Sequence, residues 1–234
     1  MLKTIHKWRI VKVFLIFIAI LYIGFMYIDI YDIESIISSD RLKYLSMLLV
    51  LMISLFTGDD ALNVKDLKLL QTGLFITLIA DLFLLILGRH YILGILLFSV
   101  VQIIYSSRYG FINLKINIRN FIVIFSSLFI VYFVVDKLIF KLDFIWGMGL
   151  FYGICLLNSV IKAAKAYRDR LFPKPNGHMI LIGMVLFLLC DINVALYNIL
   201  NEGLFYNISS ISMWLFYLPS QVLLSLSGYK YNLK

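Results

Sequence analysis

GLFITLIADLFLLILGRHYILGILLFSVVQIIY, residues 73–105, holds two long apolar runs parted by a single polar corner, Gly88-Arg89-His90. The runs are continuous, without the apolar-polar alternation of a half-buried strand. Only helices and closed barrels can cross lipid with every backbone group satisfied. Helices about a tight turn are therefore the reading, and the same pattern continues in both directions. The chain has 234 residues, 62% hydrophobic and only 15% charged, with a mean hydropathy of +0.97. A water-soluble globule is nearer half apolar and a quarter charged, so that class is excluded.

Apolar runs bounded by charge or turn residues give about eight spans: Ile10–Ile28, Lys43–Phe56, Leu69–Gly88, Tyr91–Ser107, Phe121–Ile139, Phe144–Ala164, His178–Leu200 and Ile208–Gly228. The expected fold is all-α, a polytopic membrane bundle forming a single integral membrane domain over residues 1–234. The first run is too long for a signal-peptide core, and no small-x-small cleavage site follows it. Pro173 and Pro175 break the basic loop after span six.

Net charge is +8, from 21 Lys and Arg against 13 Asp and Glu. The basic residues sit in connecting segments, where they report orientation and headgroup contact and do not call for nucleic acid as a partner. With the N-terminus inside, segments 1–12, 57–68, 108–120, 162–177 and 229–234 hold 16 of them. The outer segments hold five: Arg41, Lys43, Arg89, Lys137 and Lys141. This asymmetry predicts a cell-membrane protein with both termini cytoplasmic. Asp29, Asp32, Glu34 and Asp40 in the first outer loop read as solvated. Trp8, Tyr27, Tyr91, Tyr109, Trp146 and Tyr229 at span ends read as interfacial anchors. Cys155 and Cys190 lie inside apolar runs and read as small packing residues.

GLFITLIAD (residues 73–81) and GMVLFLLCD (residues 183–191) share a glycine, six mostly apolar positions, a small residue and then an aspartate. Both run inside to outside, four spans apart, which predicts a parallel 4+4 repeat. Each aspartate lies roughly 20 Å into the bilayer at 1.5 Å per residue. A charge there costs about 3 kcal/mol even on the lenient insertion scale. Asp81 and Asp191 are therefore expected to face one polar cavity, lined by Gln71, Thr77, Gln102, Tyr152, Asn158, Asn193, Asn198 and Gln221. One carboxyl held neutral beside an ionised partner would give a general acid and a general base. The bland alternative is that both aspartates are protonated bundle glue.

His6, His90 and His178 lie at or beyond span ends, so no metal site is expected. Serine-hydrolase, P-loop and dinucleotide motifs are absent.

The hairpin segment resembles a hallmark of the YhhN family, the lysoplasmalogenase-like membrane proteins. There a glycine-started helix reaches Gly-Asp, and a hairpin leads to Phe-x-x-x-His-x-x-Tyr. Asp81, Phe98 and Tyr105 match those positions. GMVLFLLCDINVALYN (residues 183–198) is similar to the second hallmark, which usually ends in Ser-Asp and places Asp191. YLPSQVLLSLS (residues 217–227) resembles the closing Tyr-x-x-Ala-Gln helix through Tyr217 and Gln221. RLKYLSMLL (residues 41–49) resembles the Lys-Pro-Leu start of span two, with Lys43 on the lysine. Ala80, Cys190, Tyr44 and Gln102 depart from the family's glycine, serine, proline and histidine.

The resemblance implies a membrane hydrolase that cleaves the vinyl ether of lysoplasmalogens and releases a fatty aldehyde, with no cofactor. Protonation of the terminal alkene carbon leaves an oxocarbenium ion that water attacks, much as in paired-carboxylate glycosidases. Asp81 and Asp191 would be catalytic. Lys43, Gln102, Tyr105, Asn158, Asn193, Tyr217 and Gln221 would contact a lysophospholipid substrate. A proton-coupled carrier and a non-catalytic lipid-binding relative are the competing readings. Gln102 in place of histidine favours the latter, since an amide cannot shuttle a proton.

Overall fold

The computed structural model describes residues 2–110, 113–139, 141, 143–200 and 202–231. Side chains of residues 2–7 and 59 lie outside that description, His6 among them, as do part of the 108–120 segment and Lys234. Eight α-helices follow in order: α1 Leu2–Tyr31, α2 Ser39–Leu55, α3 Val64–Asp81, α4 Tyr91–Gly110, α5 Leu114–Leu138, α6 Phe144–Arg168, α7 Asn176–Ile199 and α8 Leu204–Leu226. All but α2 are long and apolar enough to cross a membrane. At 17 residues, α2 spans about 25 Å, yet it packs among α1, α3 and α8. The chain is a multi-pass membrane protein.

Local chemistry sets the helix ends. Asn63, Asn113 and Asp143 each accept a bond from a first-turn backbone N–H of α3, α5 and α6, as N-caps do. The α3–α4 corner turns through Gly88 at φ +55° and His90 at φ +63°. α5 starts seven residues before the expected Phe121, because Asn113 caps it there.

The polarity pattern is that of a bundle in lipid. Large apolar side chains such as Ile20, Ile23, Ile122, Val123 and Leu150 are exposed, whereas Ser46, Thr77, Gln102, Ser159 and Gln221 are buried. Small residues admit close neighbours. Tyr105 of α4 lies on Gly73 of α3, and Leu224 and Ser220 of α8 lie on Gly183 of α7. Ser220 also donates to the Gly183 carbonyl at 2.7 Å.

Helix neighbours repeat between the halves. α3 packs on α4 as α7 does on α8, and α2 packs on α3 as α6 does on α7. α2 reaches α8 as α6 reaches α4, and α1 lies on α2 and α8 as α5 lies on α6 and α4.

The five basic segments meet at one end of the bundle. Trp8 packs on Tyr229 with ring centroids 5.1 Å apart. Lys230 N–H donates to the Asp60 carbonyl at 2.8 Å. Asn176 donates to the carbonyls of Ser227 and Tyr229, and Lys162 donates to Asn117 at 3.3 Å. Arg108 is buried there, bonding Asp66 at 2.6 and 3.0 Å and Ser227 Oγ at 3.0 Å. The readings of Tyr109, Tyr229 and Asp29 are corrected. Tyr109 and Tyr229 are buried in place of anchoring at an interface, because they pack in this clasp. Asp29 is not simply solvated, because it pairs with Lys43 at 3.0 Å. Cys155 and Cys190 are free and buried, as expected.

Candidate functional site

Asp81 closes α3 and is 4% exposed. The next five residues, Leu82–Ile86, form a π turn, a helix irregularity common at functional sites. The Asp81 carboxylate accepts from the Tyr217 hydroxyl of α8, at 3.0 Å to Oδ1 and 2.9 Å to Oδ2. Asp191 on α7 is half-buried and accepts from the Tyr152 hydroxyl of α6 through Oδ2 at 2.5 Å. Among the described residues, neither carboxylate has a basic partner within ion-pair distance. One aromatic ring joins the two pairs: Phe98 lies 6.2 Å from Tyr152 and 6.3 Å from Tyr217, centroid to centroid.

One turn inward sits a layer of neutral polar groups. Thr77 precedes Asp81 by four residues, and Gln221 follows Tyr217 by four, so the antiparallel α3–α8 pair brings them to one level. Gln102 of α4 accepts from Ser159 of α6 at 2.6 Å. Thr77 Oγ1, Gln102 Nε2 and both side-chain polar atoms of Gln221 are buried without a protein partner. Each such group left dry costs about 1–3 kcal/mol.

Lys43 lies at the far end from the basic clasp, 3.0 Å from Asp29, 3.4 Å from Asp40 and 5.3 Å above the Trp214 ring. Trp214 in turn meets Tyr217 edge-on at 5.1 Å. Lys43, Trp214, Tyr217 and Asp81 thus form a continuous path from the rim to a carboxylate.

Among the described residues, the other expected site residues bond neither carboxylate. Tyr105 packs on Gly73, eight residues before Asp81 and so about 12 Å along α3, and its charged neighbour is Arg108. Asn193 bonds back to the Leu189 carbonyl at 2.7 Å. Asn198 is exposed and bonds back to Val194, and Gln71 donates to the Ser54 carbonyl. Asn158 is half-buried and bonds neither carboxylate, because the helix turns its neighbour Ser159 inward. Ser159 and Trp214 are contributors that sequence reasoning passed over, and Phe98 enters it only as a matching family aromatic. A signal for Phe98 exists: Phe98-x₃-Gln102-x₂-Tyr105 and Tyr217-x₃-Gln221-x₂-Leu224 share one spacing, and Tyr105 and Leu224 each cover the glycine of their half. Among the described residues, no three His, Cys, Asp or Glu converge as a metal site.

The sequence profile of the YhhN family matches residues 39–228. The chain belongs to the YhhN family. The YhhN match starts with α2 and runs past α8, so it contains both Asp–Tyr pairs and leaves α1 outside. No curated protein and no solved structure matches the chain.

Proposed function

We propose that this YhhN protein is a lipid hydrolase that cleaves the vinyl ether bond of lysoplasmalogens by paired-carboxylate chemistry. The observation that supports it is the pair of phenol-held carboxylates, without cationic partners among the described residues, whose two phenols both pack on Phe98. One carboxyl, protonated, gives its proton to the alkene carbon remote from the ether oxygen, leaving an oxocarbenium ion. The other, ionised, steadies that cation and takes a proton from the attacking water. The resulting hemiacetal collapses to a fatty aldehyde and a glycerophospho alcohol. One water is consumed and no electrons are exchanged.

The Lys43–Trp214 rim is where the headgroup of a lysophospholipid would sit, with its vinyl ether reaching towards Tyr217. With the basic end cytoplasmic, the protein lies in the cell membrane with both termini of the chain on the cytoplasmic side and the carboxylates in the outer half. The recurrence of helix neighbours between the halves favours a second reading, a proton-coupled carrier. Purified protein in detergent, incubated with a lysoplasmalogen, should release aldehyde in a coupled dehydrogenase assay. No release from folded protein would overturn the hydrolase and leave the carrier.

A further inference from the structure

Three helices present polar groups on matched faces from the carboxylates to the basic end. On α3 the face runs Asp81, Thr77, Gly73, Asp66; on α4 it runs Phe98, Gln102, Tyr105, Tyr109; on α8 it runs Tyr217, Gln221, Leu224, Gly228. The α3–α8 register is fixed at both ends, by Tyr217 on Asp81 and by Gly228 against Leu70. Thr77 and Gln221 therefore share a level. Along this axis the buried atoms without a protein partner are Thr77 Oγ1, Gln102 Nε2, both polar atoms of Gln221, the Tyr105 and Tyr109 hydroxyls, and one Arg108 nitrogen. Elsewhere among the described residues only Ser39 and Thr57 carry such atoms. The orphaned groups are thus concentrated along one line.

Apolar packing cannot satisfy them. Gln221 is 0% exposed, with two donors and an acceptor all unmet. A bound water needs two to four polar partners, and consecutive levels supply them. Thr77, Gln102 and Gln221 form the upper level, the Tyr105 hydroxyl the middle, and Tyr109 with Arg108 the lower. We infer that these groups hold a file of water molecules joining the Arg108–Asp66 clasp to the two carboxyls. The file gives the site water and proton exchange from the basic end, independently of the Lys43 rim. It serves the hydrolase by supplying the attacking water, but does not depend on that reading.

Hydroxyl-radical footprinting of the protein in nanodiscs, with no substrate, tests the file directly, because radiolysis of bound water oxidises the side chains beside it. Tyr105 and Tyr217 should be oxidised several-fold more than the likewise buried Phe25, which packs in the apolar core against the rings of Tyr22 and Trp214. In the double variant Thr77→Val, Gln221→Leu, labelling of both tyrosines should fall towards the Phe25 level. Labelling of Tyr105 and Tyr217 no greater than that of Phe25 in the unaltered protein would show a dry core and overturn the inference, without any variant having to fold. Undiminished labelling in a folded double variant would also overturn it, since the waters would then be held by other groups.

Discussion

Phe98 and Tyr217 occupy matching positions on α4 and α8, and one hydroxyl separates them. That hydroxyl makes the two aspartates unlike. Asp81 takes both its bonds from Tyr217, whereas Asp191 has a bare ring on the matching side and turns to Tyr152. Asp81 is also the more buried. Tyr217→Phe should therefore lower the melting temperature more than Tyr152→Phe, because it strands a fully buried carboxyl at about 1–3 kcal/mol. Equal shifts in thermal melts would contradict the asymmetry. Asp81→Asn and Asp191→Asn keep shape and one acceptor oxygen for the phenol. Each should cut aldehyde release about 10²–10⁴-fold with nearly unchanged yield and melting. The double variant should lose little more, since paired groups act as a unit. Destabilised Asn variants with full activity per folded molecule would reduce both aspartates to bundle glue.

Helix contacts in this protein turn on single glycines. A Cβ on Gly73 would come within 2.4 Å of Tyr105 Cε1, whereas one on Gly24 in α1 would meet nothing within 4 Å. Gly73→Ala should destabilise by about 1–3 kcal/mol as the ring is forced aside. Gly24→Ala should be neutral or stabilise by roughly 0.5–1 kcal/mol through helix propensity. Paired thermal melts in one detergent check the difference, and equal shifts would mean that α3 and α4 are not closely packed there. The π turn after Asp81 belongs to the same scale. It lies between α3 and α4, where Leu84 packs so closely on Gly94 that a Cβ there would meet it at 2.6 Å.

Across the whole molecule, the basic end is tied together by buried polar contacts. Arg108, 2% exposed, joins α3, α4 and the end of α8 through Asp66 and Ser227. Arg108→Ala leaves Asp66 buried and unpaired, so it should cost about 3–5 kcal/mol, read as a large loss of melting temperature or of folded yield. Reporter fusions at Lys65, Ile116 and Asn176, all at this end, should read cytoplasmic. One external reading would overturn the orientation drawn from charge asymmetry.

The sequence by itself determined the eight helices, the hairpin corner at Gly88 and the two intramembrane aspartates, because long apolar runs and a charge within them are local facts of composition. It also grouped the five basic segments, which the fold joins at one end. It could not say that Asp81 finds its phenol 136 residues away on α8, or that Ser159 and not Asn158 turns inward. Nor could it show that Arg108, read as a loop charge, is buried against Asp66. Those outcomes depend on the rotation of each helix about its axis and on the register between helices distant in sequence. Apolar residues surround most of these spans, so hydropathy carries little record of rotation, and only side-chain packing between helices sets it.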